Sequence, residues 1–325
     1  MAKNYRYQVA SFQNFCNFDV SNQMEKTNLT SPPFLKSGDC IGIVAPARKI
    51  LMEELNPAIK KLESWGLKVK LGKNIFSSYN QFAGTDEERL ADMQDMLDDK
   101  DVKAIISARG GYGSVRIIDQ LDFSTFRHHP KWIAGYSDIT VFHNHIQKHY
   151  EIQTLHCTMP INFEKDNDST NLLWDALSGE LTDYRINPQP LNRKGKAEGI
   201  LCGGNLSILY ALASTPSDID TFGKILFLED LDEYLYHIDR MMMQLKRAGK
   251  LSGLAGLVVG SFSEMKDNTI PFGKIAEEII LDAVQEYDFP VCFGFPAGHG
   301  QKNFPLYMGC VHELEVDEET KLRIL

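Results

Sequence analysis

From residue 38 onward, short continuous apolar runs alternate with amphipathic stretches of helical period. "GDCIGIVAPA" (38–47) shows no polar alternation and reads as a strand buried on both faces. Asn56-Pro57 predicts a helix start, with Asn56 as cap and Pro57 as first helical residue, and Gly66 closes that helix after Trp65. "LKVKL" (67–71) is a second strand. Thr85 and Glu88 have capping-box spacing, and Leu90, Met93 and Leu97 then share a helical face. "VKAIIS" (102–107) is the third strand and "VRIIDQL" (115–121) its helix. "KWIAGYSDIT" (131–140) repeats the strand-to-helix pattern, and "IQTLHC" (152–157) is a fifth strand. Strands alternating with helices predict a parallel, doubly wound α/β sheet, whose ligands bind beyond the carboxyl ends of the strands. Both "ARGGYGS" and "GYSD" fall at such ends.

The texture divides the 325 residues into four stretches. Residues 1–31 are polar and aperiodic and are expected to form a loosely ordered extension. Residues 32–160 make the first domain. In 161–196, "NFEKDNDSTN" and "NPQPLNRKGK" flank one short helix and read as a linker region. Residues 197–325 read as a smaller α+β domain: "AEGILCGG", a helix from Asn205, "KILFLED" (224–230), a long helix to about Gly249, "LAGLVVGSF" (254–262), a helix near 273–286, and short strands.

Composition narrows the partners. A formal charge of −10, from 34 basic and 44 acidic residues, argues against a nucleic-acid partner, whose phosphates need a basic face. The six cysteines form no CxxC pair and are expected to be buried free thiols. No apolar stretch approaches the ~20 residues of a membrane span, and "MAKNYRYQVASFQNFCNFDV" lacks the apolar core of a secretory signal. A cytoplasmic protein without membrane contact is expected.

The chemistry concentrates in three places. "ARGGYGSVR" resembles a phosphate-binding turn, but the third glycine of GxGxxG would fall on Arg116 and the turn follows the third strand, so the dinucleotide reading fails. No Gly-Lys-Ser/Thr follows, so Walker A fails too. An anion cradle at a helix start, a plain turn, and a bend presenting Ser114 as a nucleophile all stay open. For the last, Gly113 and Gly111 relieve the bend and the Val115 amide could hold an oxyanion, although no glycine stands two residues after the serine. Among nine histidines, His299 stands out between Gly298 and Gly300 after the strand "PVCFGF". His145 and His149 are four apart, but a plain helix face outweighs a metal pair. For an acid, Glu229 ends an apolar strand, whereas Asp232 and Glu233 fit the start of the following helix. A metal-binding carboxylate cluster is the weaker rival there, since no matching His or Asp pattern backs it.

Together, "GDCIGIVAPA", "GTDEERLADMQDML", "ARGGYGSVRIIDQLD", "GYSDIT", "LHCTMP", "CGGNLSIL", "ILFLEDLDEYLYHIDRM" and "FPAGHGQKNFPLYMG" resemble, in order, the LD-carboxypeptidase (muramoyl-tetrapeptide carboxypeptidase) family, which includes the microcin-immunity peptidases. The resemblance runs from about Pro33 to the C-terminus. It implies a flavodoxin-like N-terminal domain, a smaller C-terminal domain and a site between them. It also implies a metal-free, cofactor-free cytoplasmic serine peptidase, often a homodimer, that removes the terminal D-alanine of murein tetrapeptides during peptidoglycan recycling. Its Ser-His-Glu triad carries over as nucleophile Ser114, base His299 and orienting acid Glu229, with amides of Val115 and Gly111 at the oxyanion. Arg109, Ser137, Asp138, Asn205 and Arg240 are then candidate substrate contacts or supports, and Glu233 with Asp232 could meet the ammonium of a diamino acid. Cys157 stands where the family commonly has glycine. Glu233 stands where the immunity peptidases carry lysine, which favours the murein branch. The alternatives are an immunity-type peptidase acting on peptidyl-aminoacyl nucleotides, or a non-enzymatic anion-binding module.

Overall fold

The computed structural model describes residues 29–325. Residues 1–28 of the expected extension lie outside the described residues; Leu29 and Thr30 are already paired, through Leu29 N–H to the Gly309 carbonyl (3.2 Å) and Thr30 N–H to that of Glu151 (2.8 Å). Strands β1 (Cys40–Val44), β2 (Lys68–Leu71), β3 (Val102–Ser107), β4 (Trp132–Gly135) and β5 (Thr154–His156) form a parallel sheet in the order β2-β1-β3-β4-β5. This is the flavodoxin-like doubly wound order, and β1, β3 and β4 are almost wholly buried, which explains their unbroken apolar runs.

Helices α1 (Met52–Ser64), α2 (Asp86–Asp98), α3 (Ser124–His128) and α4 (Thr140–Tyr150) connect these strands. The Thr85–Glu88 capping box forms as its spacing predicts. Helix α1 starts a turn before Asn56-Pro57 and carries Pro57 inside it. Glu53 and Glu54 favour that earlier first turn, and the Glu54 carboxylate accepts the Leu51 N–H at 2.8 Å. Residues 115–121 form no α-helix but parts of two 3₁₀ turns, Ser114–Arg116 and Ile118–Gln120. The β-branched Val115, Ile117 and Ile118 are poor helix formers, and the Ser114 N–H that would open a helix is held by Asp138.

Within 161–196, helix α5 (Asn167–Ser178) packs on the first sheet, with Leu173, Ala176 and Leu177 in its core, and strand β6 (Asp183–Ile186) joins a second sheet. That sheet continues through β7 (Gly195–Asn205), α6 (Leu206–Leu212), β8 (Ile225–Leu231), α7 (Leu235–Arg247), β9 (Gly256–Ser263), α8 (Ala276–Ala283) and β10 (Val291–Cys292). After β11 (Leu306–Met308) come β12 (Val311–Val316) and β13 (Thr320–Ile324). Its seven strands run β10-β9-β8-β7-β12-β13-β6, with β7 to β10 parallel and the other three antiparallel.

Strand β11 crosses over and pairs antiparallel with β5 at the edge of the first sheet. One apolar cluster is therefore shared by both sheets, from Ile41 and Ile106 to Phe227, Val258 and Leu314. Asp232 and Glu233 precede α7 rather than opening it; Asp232 pairs with Lys266 at 2.6 Å and Glu233 with His237 at 2.6 Å. Cys40, Cys157, Cys202, Cys292 and Cys310 are free thiols, and Cys16 lies outside the described residues. Among the described residues no helix is long and apolar enough to cross a membrane.

Candidate active site

The polypeptide turns sharply where β4 ends. Gly135 closes the strand, Tyr136 is extended, and Ser137 adopts φ +63° before a 3₁₀ turn (Ser137–Ile139) leads into α4. That left-handed conformation costs an L-residue roughly 1–2 kcal/mol, so it persists only where the surroundings impose it. Two neighbours do so. Asp138 is buried and accepts the Ser114 N–H at 2.8 Å, which ties the elbow to the turn after β3. That turn also presses against Ser137: a Cβ on Gly110 would lie 2.9 Å from Ser137 Cβ and 3.0 Å from its Oγ. Behind it, buried Arg89 of α2 donates to the carbonyls of Pro46 (2.5 Å) and Gly113 (3.1 Å). Burial pushes the Asp138 carboxyl up, against the downward pull of Ser114 and the Arg89 charge.

The second sheet supplies the other half. Strand β8 carries Glu229, fully buried, to the cleft, and the loop after β10 brings His299 onto it. Glu229 Oε2 accepts from His299 Nδ1 at 2.7 Å and from the His299 backbone N–H at 3.2 Å, so ring and backbone are fixed by one carboxylate oxygen. Gly298 permits this approach. It has φ +105°, and a Cβ there would stand 2.6 Å from Glu229 Oε2. Asn303 Oδ1 accepts the Gly298 N–H at 2.8 Å and meets buried His156 Nε2 at 3.0 Å, which anchors the loop.

Burial raises the Glu229 carboxyl, but the charge and hydrogen bond of His299 outweigh it and hold Glu229 below its ordinary value. Conversely, burial lowers His299, and Glu229 more than reverses this, leaving the imidazole a stronger base than usual. The adjacent Asp230 goes the other way: burial first, then the Glu229 charge, push it up to about 7. Neighbouring carboxyls with opposite shifts have separate roles. Asp230 secures α6, accepting from Asn205 Nδ2 (3.0 Å) and the Ser207 N–H (2.8 Å).

A cleft of about 330 Å³ between the two halves is lined by Ser137, His299, Gly110, Gly111, Arg109 and Tyr136. The Tyr136 ring lies 4.7 Å from that of His299, centroid to centroid, and its hydroxyl accepts from Asn162 Nδ2 at 2.9 Å.

Of the residues singled out from the sequence, the structure therefore gathers Ser137, His299, Glu229, Arg109 and Gly111, with Asp138 behind them. Ser114, the nucleophile expected from the resemblance, is not among the residues lining this cleft, and its buried Oγ has no hydrogen-bond partner. Ser114 is fully buried outside the cleft lining, because its 3₁₀ turn folds its N–H onto Asp138. Val115 is exposed and does not line the cleft. Asn205 is buried as the N-cap of α6, accepting the Ile208 N–H at 3.2 Å, and Glu233 is taken by His237. Arg240 lies over the Tyr236 ring (5.1 Å), in a separate depression with Tyr210 and Arg247. Gly110, Tyr136, Arg48 and Lys165 escaped the sequence reading. The signal for the elbow was Gly-x-Ser after a strand, present as Gly135-Tyr136-Ser137 in "GYSD", whereas Ser114 has Tyr112 two residues before it and Gly113 directly before it. Among the described residues, no group of three His, Cys, Asp or Glu side chains is placed to hold a metal ion.

Comparison with known proteins adds to this geometry. Residues 41–157 match the LD-carboxypeptidase N-terminal domain and residues 198–314 the LD-carboxypeptidase C-terminal domain. The chain is 38% identical, over 89% of its length and 92% of the relative's, to a Bacillus subtilis (strain 168) protein named "Probable murein peptide carboxypeptidase". It is 29% identical to the "Murein tetrapeptide carboxypeptidase" of Pseudomonas aeruginosa, over 81% of this chain and 89% of that one. The crystal structure of muramoyltetrapeptide carboxypeptidase from Oxalobacter formigenes superimposes with a TM-score of 0.80 at 30% identity, covering 88% of this chain and 98% of that chain.

Proposed function

The chain belongs to the LD-carboxypeptidase family and is a serine-type carboxypeptidase, and from that premise we propose that it releases the terminal D-alanine of a murein tetrapeptide through Ser137, His299 and Glu229. The observation that carries this reading is the strained Ser137 elbow opening into the same cleft as a histidine held by a buried glutamate. The names of the relatives support murein peptides as the substrate class.

Neutral His299 takes the Ser137 hydroxyl proton on Nε2 as the oxygen attacks the carbonyl before the terminal residue. Glu229 on Nδ1 selects the tautomer that leaves Nε2 unprotonated and steadies the imidazolium that forms. Negative charge develops on the carbonyl oxygen, beside the turn at Gly110 and Gly111. Neither of these N–H groups donates within the protein among the described residues, so both are available to the oxyanion. Collapse of the tetrahedral intermediate breaks the peptide bond, and His299 returns the proton to the departing amine. Water, deprotonated by the same histidine, then hydrolyses the acyl-enzyme and restores Ser137. The reading includes a cytoplasmic homodimer, as the resemblance implies.

Incubation with a murein tetrapeptide and with its all-L-terminal control, followed by an assay for free alanine, tests the reading. D-Alanine released from the first alone is expected. Absence of release from the tetrapeptide, with intact fold by circular dichroism, would overturn it.

A further inference from the structure

Ser137 leaves the first sheet at the β4 elbow, His299 stands on the loop after β10, and both line the cleft. A serine and its base must be held to a fraction of an ångström, although these two are far apart in the chain. A short path of hydrogen bonds joins their supports without entering the cleft.

The path starts at Gly135, two residues before Ser137. Gly135 is the register partner of His156 where β4 meets β5, and its carbonyl accepts the Cys157 N–H at 3.2 Å. The fully buried His156 ring then reaches Asn303 Oδ1 at 3.0 Å. That same oxygen accepts the Gly298 N–H at 2.8 Å, and Gly298 directly precedes His299. Asn303 is itself held from outside its loop. Its backbone N–H donates to Ser169 Oγ (2.8 Å) and Asp166 Oδ2 (3.2 Å) at the start of α5. Neither Asn303 nor His156 lines the cleft.

The Gly298 N–H needs an acceptor, so the Asn303 oxygen, not its nitrogen, faces both partners. His156 must therefore donate from Nε2, which leaves its Nδ1 bare. Burial lowers His156 to about 4, so the neutral ring this requires is the form present at neutral pH. His156 Nδ1 and Asn303 Nδ2 are buried and find no hydrogen-bond partner among the described residues. Two unpaired polar atoms cost stability that an apolar pair of the same shape would not. What the pair supplies instead is position.

We propose that Asn303, braced by His156, is a positioning residue for the reaction: it sets the loop carrying His299 against the strand pair carrying Ser137. This rests on the carboxypeptidase reading above. Glu229 fixes the orientation and tautomer of the His299 ring, and Asn303 fixes where that ring stands relative to the serine.

The test measures kcat and KM for D-alanine release from a murein tetrapeptide by the wild type, Asn303→Leu, His156→Leu, His156→Gln and the double Leu variant. Asn303→Leu is expected to lower kcat about 10²-fold with KM within about threefold, because the cleft lining is untouched. His156→Leu is expected to lower kcat about tenfold, and His156→Gln, whose amide still donates to Asn303, to recover most of that loss. The double variant is expected to be no slower than Asn303→Leu, since His156 acts through Asn303. Wild-type kcat in Asn303→Leu or His156→Leu, a loss carried by KM, or losses that multiply in the double variant would overturn the proposal and leave the carboxypeptidase reading in place. If circular dichroism shows Asn303→Leu unfolded, the two His156 variants decide alone, and equal kcat in both overturns the proposal. No release by the wild type would overturn that reading and this proposal with it.

Discussion

Two glycine-bearing turns leave adjacent strands of the first sheet, and each carries a serine. After β3, "ARGGYGS" ends with Ser114 buried and its N–H on Asp138. After β4, "GYSD" holds Ser137 at φ +63° in the cleft with His299. The richer glycine turn buries its serine, and the sparser one places its serine in the cleft lining. Glycines at 110 and 111 lower the backbone onto its neighbour, whereas the strained conformation falls on the serine itself. Glycine density marks where backbone must approach something. It does not mark which residue reacts.

Exchanging the roles of the serines is the sharpest way to break this comparison. Ser137→Ala is expected to lower kcat by about 10⁴-fold or more, while Ser114→Ala stays within about threefold in kcat and leaves the melting temperature nearly unchanged, since the buried Ser114 Oγ has no hydrogen-bond partner and its N–H keeps Asp138. Steady-state kinetics and thermal melts of the two variants decide it, and the opposite ranking would return the nucleophile to Ser114. Next in size, Glu229→Gln keeps the shape but removes the charge that selects the His299 tautomer, with an expected loss of about 10³–10⁴-fold in kcat. An unimpaired variant would remove Glu229 from the mechanism.

Gly110→Ala probes the contact between the turns. Its Cβ would meet Ser137 at 2.9 Å, so the elbow must shift, and a loss of about 10²-fold in kcat with little change in fold is expected. A fully active Gly110→Ala enzyme would show that the elbow does not depend on the turn.

The pH profile is the mildest probe. The base must be neutral, and His299 is raised above its usual value of 6.5 by Glu229, so kcat/KM should fall about tenfold per pH unit below a break lying above 6.5. In Glu229→Gln the raising charge is gone and burial still lowers the imidazole, so the break in the residual activity should move down. A profile flat from pH 5 to 8 in the parent enzyme would count against His299 as base. Buried His143 and His156 give the opposite sign for stability. Burial drives them to about 3 and about 4, so their neutral forms favour the fold above pH 6.5, and that contribution is lost as pH falls through their folded values.

Much of the fold was legible because its signals are local. Unbroken apolar runs gave β1, β3 and β4 their buried positions, the Thr85–Glu88 spacing gave the start of α2, and Asn205 gave the cap of α6. Where the local signal was ambiguous, tertiary contacts decided. Pro57 marked no helix start, since Glu54 could cap a turn earlier, and the β-branched 115–121 stretch folded as 3₁₀ turns once Asp138 claimed the Ser114 N–H. Glu229 and His299 were legible because each ends a buried strand or stands among glycines.

The choice between Ser114 and Ser137 was not legible. Both follow a strand, both stand two or fewer residues from a glycine, and both precede an apolar run. The sequence by itself determined the doubly wound sheet, the family and the histidine–glutamate pair, because hydrophobic period, capping and strand-end position are properties of nearby residues. Only the tertiary structure decided which serine lines the cleft with His299. That depends on how close the β3 turn packs against the β4 elbow, a distance set by residues far apart in the chain.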